Sequence, residues 1–238
     1  AMTDDFGVTL SEASALSGTI VDTSVAIGVS SGEAGKLMGT FKEIVGLSSQ
    51  QSDNLIKQTY LLATASDVAP KAVMADIASS TEAVAKFTSD GGENIARAAI
   101  QARRLGTDLG TVAASAEAFL DFESSISAEV EAQVFTGRQL NLQRLRELSL
   151  AGDLEGMAKE QARLAGSEAE FNAMNVLQRQ SLAKALNISV SDLAKLVSKQ
   201  EEAVTLAGQL AGQPGFEELV GAKGVSTLTQ LTGVLKSL

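Results

Sequence analysis

The sequence predicts an all-α fold, a multi-helix array of short helices and αα-hairpins with one longer helix near residues 107–136. Three observations predict it. Proline occurs only twice in 238 residues, while Ala, Leu, Glu, Gln and Lys, the good helix formers, are abundant. Residues that stop a helix stand directly or nearly before residues that start one, as in Gly152-Asp153, Gly166-Ser167 and Asn187-Ile188-Ser189, each pairing a position that tolerates a left-handed backbone with an N-cap oxygen. The β-branched alternation and turn dipeptides that strands need do not recur. Of the residues, 45% are hydrophobic but only 4% aromatic, so the core is expected to be thin, built from Ala, Leu, Val and Ile around eight Phe.

Three regions are expected: 1–90, rich in Gly, Ser and Ala; 91–212, a domain of helical hairpins; and 213–238, an amphipathic tail. Ala1-Met2 reads as a remnant ahead of the native start, so the chain is expected to be a fragment of a longer protein. In the first region Gly28, Gly32, Gly35, Gly39 and Gly46 fall along one heptad-like stripe if a single helix carries them. Such a stripe admits a second helix at close range, at a cost of about 1 kcal/mol per glycine relative to Ala. The alternatives are a series of broken helices, or a segment that meets a membrane in a late state. Gly28, Gly32, Gly35 and Gly39 are therefore the candidate helix-packing residues.

Ser48 and Gln51 have the spacing of a capping box ahead of Leu55, Ile56, Tyr60, Leu61 and Leu62. Pro70 suits the first position of a helix that carries Val73, Met74 and Ile77. Asp90-Gly91-Gly92 is the clearest internal boundary. Beyond it Ile95, Ala98, Ala99, Ala102 and Leu105 form one helical face that ends at Gly106, and Thr107 or Asp108 restarts the chain. A second stripe is expected to run unbroken through Leu109, Val112, Ala113, Ala116, Phe119, Leu120, Ile126, Val130 and Val134. On that phase Glu123 lies on the apolar face, which makes it the candidate buried charge, paired with an arginine such as Arg97, Arg104 or Arg138 unless a helix break turns it outward.

Gly137 then stops a helix, and Asn141 can cap the next. Leu142, Leu145 and Leu148 form one stripe; Leu154, Met157, Ala158, Leu164 and Ala165 form another that only Gln161 interrupts. Ser167 with Glu170, Asn175 with Gln178 and Ser189 with Asp192 repeat the capping-box spacing. Helices of roughly ten to twelve residues do not persist alone in water, so these must pack on one another. In the tail, Gln213-Pro214-Gly215 ends the preceding helix, and Val225, Leu228, Leu231, Leu235 and Leu238 recur at helical spacing.

The chemistry that composition excludes is broad. Without His or Cys there is no common zinc site, no Ser-His-Asp triad, no thiolate nucleophile and no disulfide. A net charge of −10 argues against nucleic acid as the main partner, because phosphate binding needs a basic surface. The one basic cluster, Arg97, Arg103 and Arg104, is expected to be solvated or paired within the chain. Gly35-Lys36 lacks the rest of a phosphate-binding loop: Ser30 stands where the first glycine is required and Leu37 where a hydroxyl should hold Mg²⁺. Glu123-Ser124-Ser125 resembles the surroundings of the acidic residue in lysozyme-like lytic transglycosylases, but the downstream motif and aromatic sugar platforms of that family do not follow. No catalytic residue, cofactor or metal is expected.

The order Phe122 to Ile126 (FESSI), Glu129 to Ala132 (EVEA), Thr136 to Glu147 (TGRQLNLQRLRE), Phe171 to Leu186 (FNAMNVLQRQSLAKAL) and Asn187 to Lys195 (NISVSDLAK) resembles the helical central region of phage tail tape-measure proteins. The similar part covers about residues 95–202. The resemblance implies a non-enzymatic, largely helical, oligomeric virion protein that sets tail-tube length from within the lumen and is expelled ahead of DNA. It implies self-association, tail-tube or chaperone proteins as partners, and a passage through the host cytoplasm during assembly. Two other expectations stand beside it: a helical-repeat binding module, because Asn141 to Gly166 reads like one tetratricopeptide-style hairpin, and a tail-associated cell-wall hydrolase using Glu123.

Overall fold

The computed structural model describes Phe6 and residues 9–211; the expected tail and the Ala1-Met2 remnant lie outside them. Among the described residues the chain forms thirteen α-helices and one π-helical turn. In order they are α1 (Leu10–Ile27), α2 (Ser31–Gly39), the π turn (Thr40–Ile44), α3 (Ser49–Ala65), α4 (Pro70–Ser79), α5 (Thr81–Phe87) and α6 (Glu93–Arg104). There follow α7 (Leu109–Phe119), α8 (Phe122–Thr136), α9 (Gln143–Ala151), α10 (Leu154–Ala165), α11 (Glu168–Ala173), α12 (Val176–Ala185) and α13 (Val190–Ala211).

The local signals explain most of these boundaries. Complete capping boxes start α2 (Ser30 with Glu33), α3 (Ser48 with Gln51), α11 (Ser167 with Glu170) and α12 (Asn175 with Gln178). Each satisfies two amide donors that the first turn would otherwise leave unpaired. Asp108 and Asp153 cap α7 and α10 by accepting from the Thr111 and Gly156 amides. Ser189 accepts from the Asp192 amide at the start of α13, and Pro70 occupies the first turn of α4. At the helix ends Gly137 and Gly152 take the left-handed backbone at φ 67° and 68°, and Asn187 does so at φ 52°.

One predicted element divides. The longer helix near 107–136 is two helices, α7 and α8, separated at Leu120 and Asp121. Asp121 is the reason: its carboxylate accepts from the Ser124 amide and hydroxyl, so it acts as an N-cap and restarts the helix in a new phase.

Helices α6 and α7 form the centre. Helix α6 packs against α3 and α4 on one side and α10 on another, while α7 meets α4, α5, α9 and α10. The buried hydrophobic side chains from Leu16 to Val197 join into one cluster, so the Asp90-Gly91-Gly92 turn is a joint in the chain and not a gap in the core. The packed face of α6 is mostly alanine, Ala96, Ala98, Ala99 and Ala102 beside Ile95 and Ile100, which lets its neighbours approach closely. Outside the centre, α8 and α12 make the most extensive helix pair, and α13 covers α10 and α11.

Polar links fix how these short helices sit. The Asp76 carboxylate on α4, 3% exposed, accepts from the Leu109 amide at 2.9 Å and from Arg103 Nε at 3.2 Å, joining α4 to the end of α6 and the start of α7. Gln161 on α10 donates to the Ser115 hydroxyl of α7 and to the Leu186 carbonyl, and Ser115 itself donates to Leu186. The Ser149 hydroxyl donates to the Ala116 carbonyl. Thr23 donates to Asp53 at 2.7 Å, and Lys57 pairs with the same carboxylate, which ties α1 to α3. Arg138 donates to the last carbonyls of α10, Leu164 and Ala165.

Burial pushes the Asp76 carboxyl above the ordinary aspartate value, against the opposing pull of the Leu109 amide and Arg103. The folded chain therefore keeps this proton to higher pH than the unfolded chain. Its contribution to stability falls as pH rises from the ordinary aspartate value through the raised one. Two variants test this by urea unfolding. Asp76→Ala orphans the Leu109 amide and is expected to cost about 2–4 kcal/mol near neutral pH. Subtracting the pH profile of Asp76→Asn from that of the natural chain should leave a difference that declines with rising pH across the carboxylate range. A flat or rising difference would contradict the assignment.

Candidate functional site

The two features singled out by sequence behave differently from expectation. The glycine stripe does not lie on one helix. Gly28 and Gly46 adopt left-handed φ of 68° and 82° and act as stops after α1 and the π turn, so only Gly32, Gly35 and Gly39 share α2. There Gly32 is exposed, while Gly35 and Gly39 are buried. Gly39 is the close approach: a Cβ built there would stand 2.6 Å from the Phe6 ring, whereas at Gly32 it meets only the Ser30 hydroxyl at 3.9 Å. The stripe is thus a broken helix, in which Gly39 is tightly packed and Gly32 is not. Helices α1 and α2 with the π turn bend by 114°, and among the described residues no single helix is long and apolar enough to cross a membrane.

Glu123 is exposed in the first turn of α8, which corrects its expected place on a buried face. The break at Asp121 rotates it outward, and a carboxylate near the N-terminal end of a helix is favoured there by the exposed amides. An exposed first-turn position is not the apolar cleft in which a lone carboxyl serves as general acid. Arg97 pairs with Asp90, Glu93 and Glu155, and Arg103 with Asp76, so both are engaged within the chain.

Around Arg97 lies an open polar cleft of about 330 Å³, lined by Asp90, Asn94, Arg97, Asp153 and Glu155 among others. It sits between the start of α6 and the turn joining α9 to α10. Partial burial pushes the Asp90 carboxyl up, but Arg97 and the Asn94 amide outweigh it and hold the group below its ordinary value. Arg97 pairs with Asp90 and Glu155, and Asp153 accepts from the Gly156 amide. Among the described residues no group of three acidic side chains is arranged to hold a metal ion.

The most unusual surface is α8. Its buried face carries only Ser125, Ala128 and Ala132, packed mainly on α12, while its larger apolar residues point away from the core. Phe122, Ile126, Val130 and Val134 are 43, 51, 54 and 75% exposed, and their spacing of four makes them one continuous ridge. On the inner side Arg146 holds Glu129 and Ser125, Lys184 holds Glu131 at 2.5 Å, and Gln178 donates to the Phe135 carbonyl. These contacts fix which face is outward. Val176 and Leu177, at the start of α12 beside Phe135, are also mostly exposed. The stripe expected through Leu109 to Val134 is therefore core up to Phe119 and surface beyond it. The spacing was visible in the sequence, but only the Asp-x-x-Ser cap at Asp121 signals the change of face.

No family model, characterised protein or solved structure matches the chain.

The glycine assignment predicts effects of opposite sign. Gly39→Ala should destabilise the fold by about 1–2 kcal/mol through overpacking against Phe6, and Gly32→Ala should leave it unchanged or up to about 1 kcal/mol more stable. Thermal and urea unfolding of the two variants side by side checks this; equal effects would remove the distinction.

Proposed function

We propose that the chain is a non-enzymatic structural protein of a phage tail, acting as part of a tape measure that occupies the tail lumen during assembly. The observation that carries this reading is the motif order from Phe122 to Lys195. Three of its segments are involved: Phe122 to Ile126 and Glu129 to Ala132 lie in α8, and Phe171 to Leu186 includes α12. Helices α8 and α12 are the pair with the most extensive contact in the fold, so these parts belong to one structural unit. Support also comes from how the polar side chains are used. Asp76, Gln161, Ser115, Arg138 and Arg146 cap helices or link them, roles suited to a scaffold.

The binding-module reading has less behind it. Leu145 and Met157 of the α9–α10 hairpin are fully buried, and Leu148 nearly so, so this hairpin presents its apolar face to the core rather than to a concave surface. Passage of the protein through the host cytoplasm, assembly with tube and chaperone proteins, and any late membrane contact belong to the tape-measure proposal.

Tail length in the encoding phage tests it. An in-frame deletion of residues 9–211 should shorten the tail by about 300 Å if the segment lies as a continuous helix. The expected change is about 40 Å if it stays folded with the diameter of a domain this size. Viable particles with tails of unchanged length would sink the ruler function.

A further inference from the structure

We infer that the outward ridge of α8 is a contact between two copies of this chain, related by a two-fold axis that passes between Ile126 and Val130. Self-association is already implied by the resemblance; the inference adds the surface and its symmetry, and it stands on that surface and not on the proposed function. A helix that buries Ser125, Ala128 and Ala132 and exposes Phe122, Ile126, Val130 and Val134 presents its larger apolar residues to water. The cost of that exposure disappears only when another apolar surface covers the ridge.

Three properties make a second copy the fitting cover. The first is shape. Rows of residues spaced by four are inclined to the helix axis, so two such rows lie side by side when their helices cross at about 50°. A two-fold contact sets each ridge against itself in reverse. The central Ile126 then meets Val130 of the other copy, and the bulky Phe122 lies toward the smaller Val134.

The second is charge. Glu129 and Glu131 of α8 are held on the inner side by Arg146 and Lys184 of their own chain. Two acidic molecules can therefore meet here without bringing those carboxylates together unpaired. Ser124 and Ser127, both exposed on α8, are small enough not to keep the backbones apart.

The third is area. The ridge offers four apolar side chains between 43 and 75% exposed. Together they present on the order of 400 Å² per copy, about half of the roughly 800 Å² per partner found in stable interfaces, which are only a little more than half apolar.

Light scattering and sedimentation of the full chain are expected to give twice the 24.6 kDa chain mass. The double variant Ile126→Glu with Val130→Glu should associate about 100-fold more weakly with an unchanged far-UV spectrum. Because both positions are exposed, the variant keeps its core. The chain has no cysteine, so single cysteines report orientation. Ser127→Cys, close to the axis, should cross-link to its own copy; Glu123→Cys, displaced from the axis, should not.

A monomer at all concentrations overturns the inference, as does a dimer that survives the double variant or cross-links equally through both cysteines. Were the natural chain monomeric and to dimerise through Ile126 only after removal of residues 213–238, the cover would be the chain's own tail, and the inference would again fail. None of these results alters the tail-length measurement, so the two ideas can fail separately.

Discussion

A helix of about ten residues does not hold its shape in water, because the cost of fixing the first turn is recovered only over a longer run of hydrogen bonds. Much of this fold consists of such helices, and the central helix α6 gives its neighbours little apolar area, because its packed face is mostly alanine. Directional bonds supply the positioning that bulk does not. The Asp76 carboxylate holds three helices at one point, and Gln161 holds α10 to α7 and to the end of α12. In an apolar interior such groups cost free energy unless their partners are in place, so each link also penalises arrangements in which its helices are displaced.

That economy explains what was legible in the sequence. Capping boxes at Ser48, Ser167 and Asn175 were readable because cap and partner are three residues apart, and each was found where the spacing placed it. Apolar faces at Ile95 to Leu105 and Leu154 to Ala165 were readable for the same local reason. Phase across a break was not: one capping carboxylate at Asp121 sufficed to move Glu123 from a predicted core position to the surface. Gly28 and Gly32 show the same ambiguity, since a glycine four residues from another serves equally as a packing site or as a stop.

Links between distant segments left a weaker trace. Asp76 stands among Val73, Met74 and Ile77, and a charge in that company is a visible anomaly, but its partners lie 27 and 33 residues away. The pairing of α8 with α12 depends on small residues on the buried side of α8, which composition cannot distinguish from ordinary surface alanine and serine. The outward ridge was visible as spacing; its direction required the fold.

The Gln161 link also bears on how the molecule yields to a pull along its chain. Apolar contacts are non-directional and can slide, losing attraction gradually as surfaces part. A hydrogen bond weakens steeply once its geometry is lost. Gln161 and Ser115 converge on the Leu186 carbonyl from positions 25 and 71 residues away in sequence, so stretching either intervening segment strains the same small point. Such a body is stiff under a small load and brittle beyond it: α7, α10 and the end of α12 stay together until the junction parts, and then separate in one step.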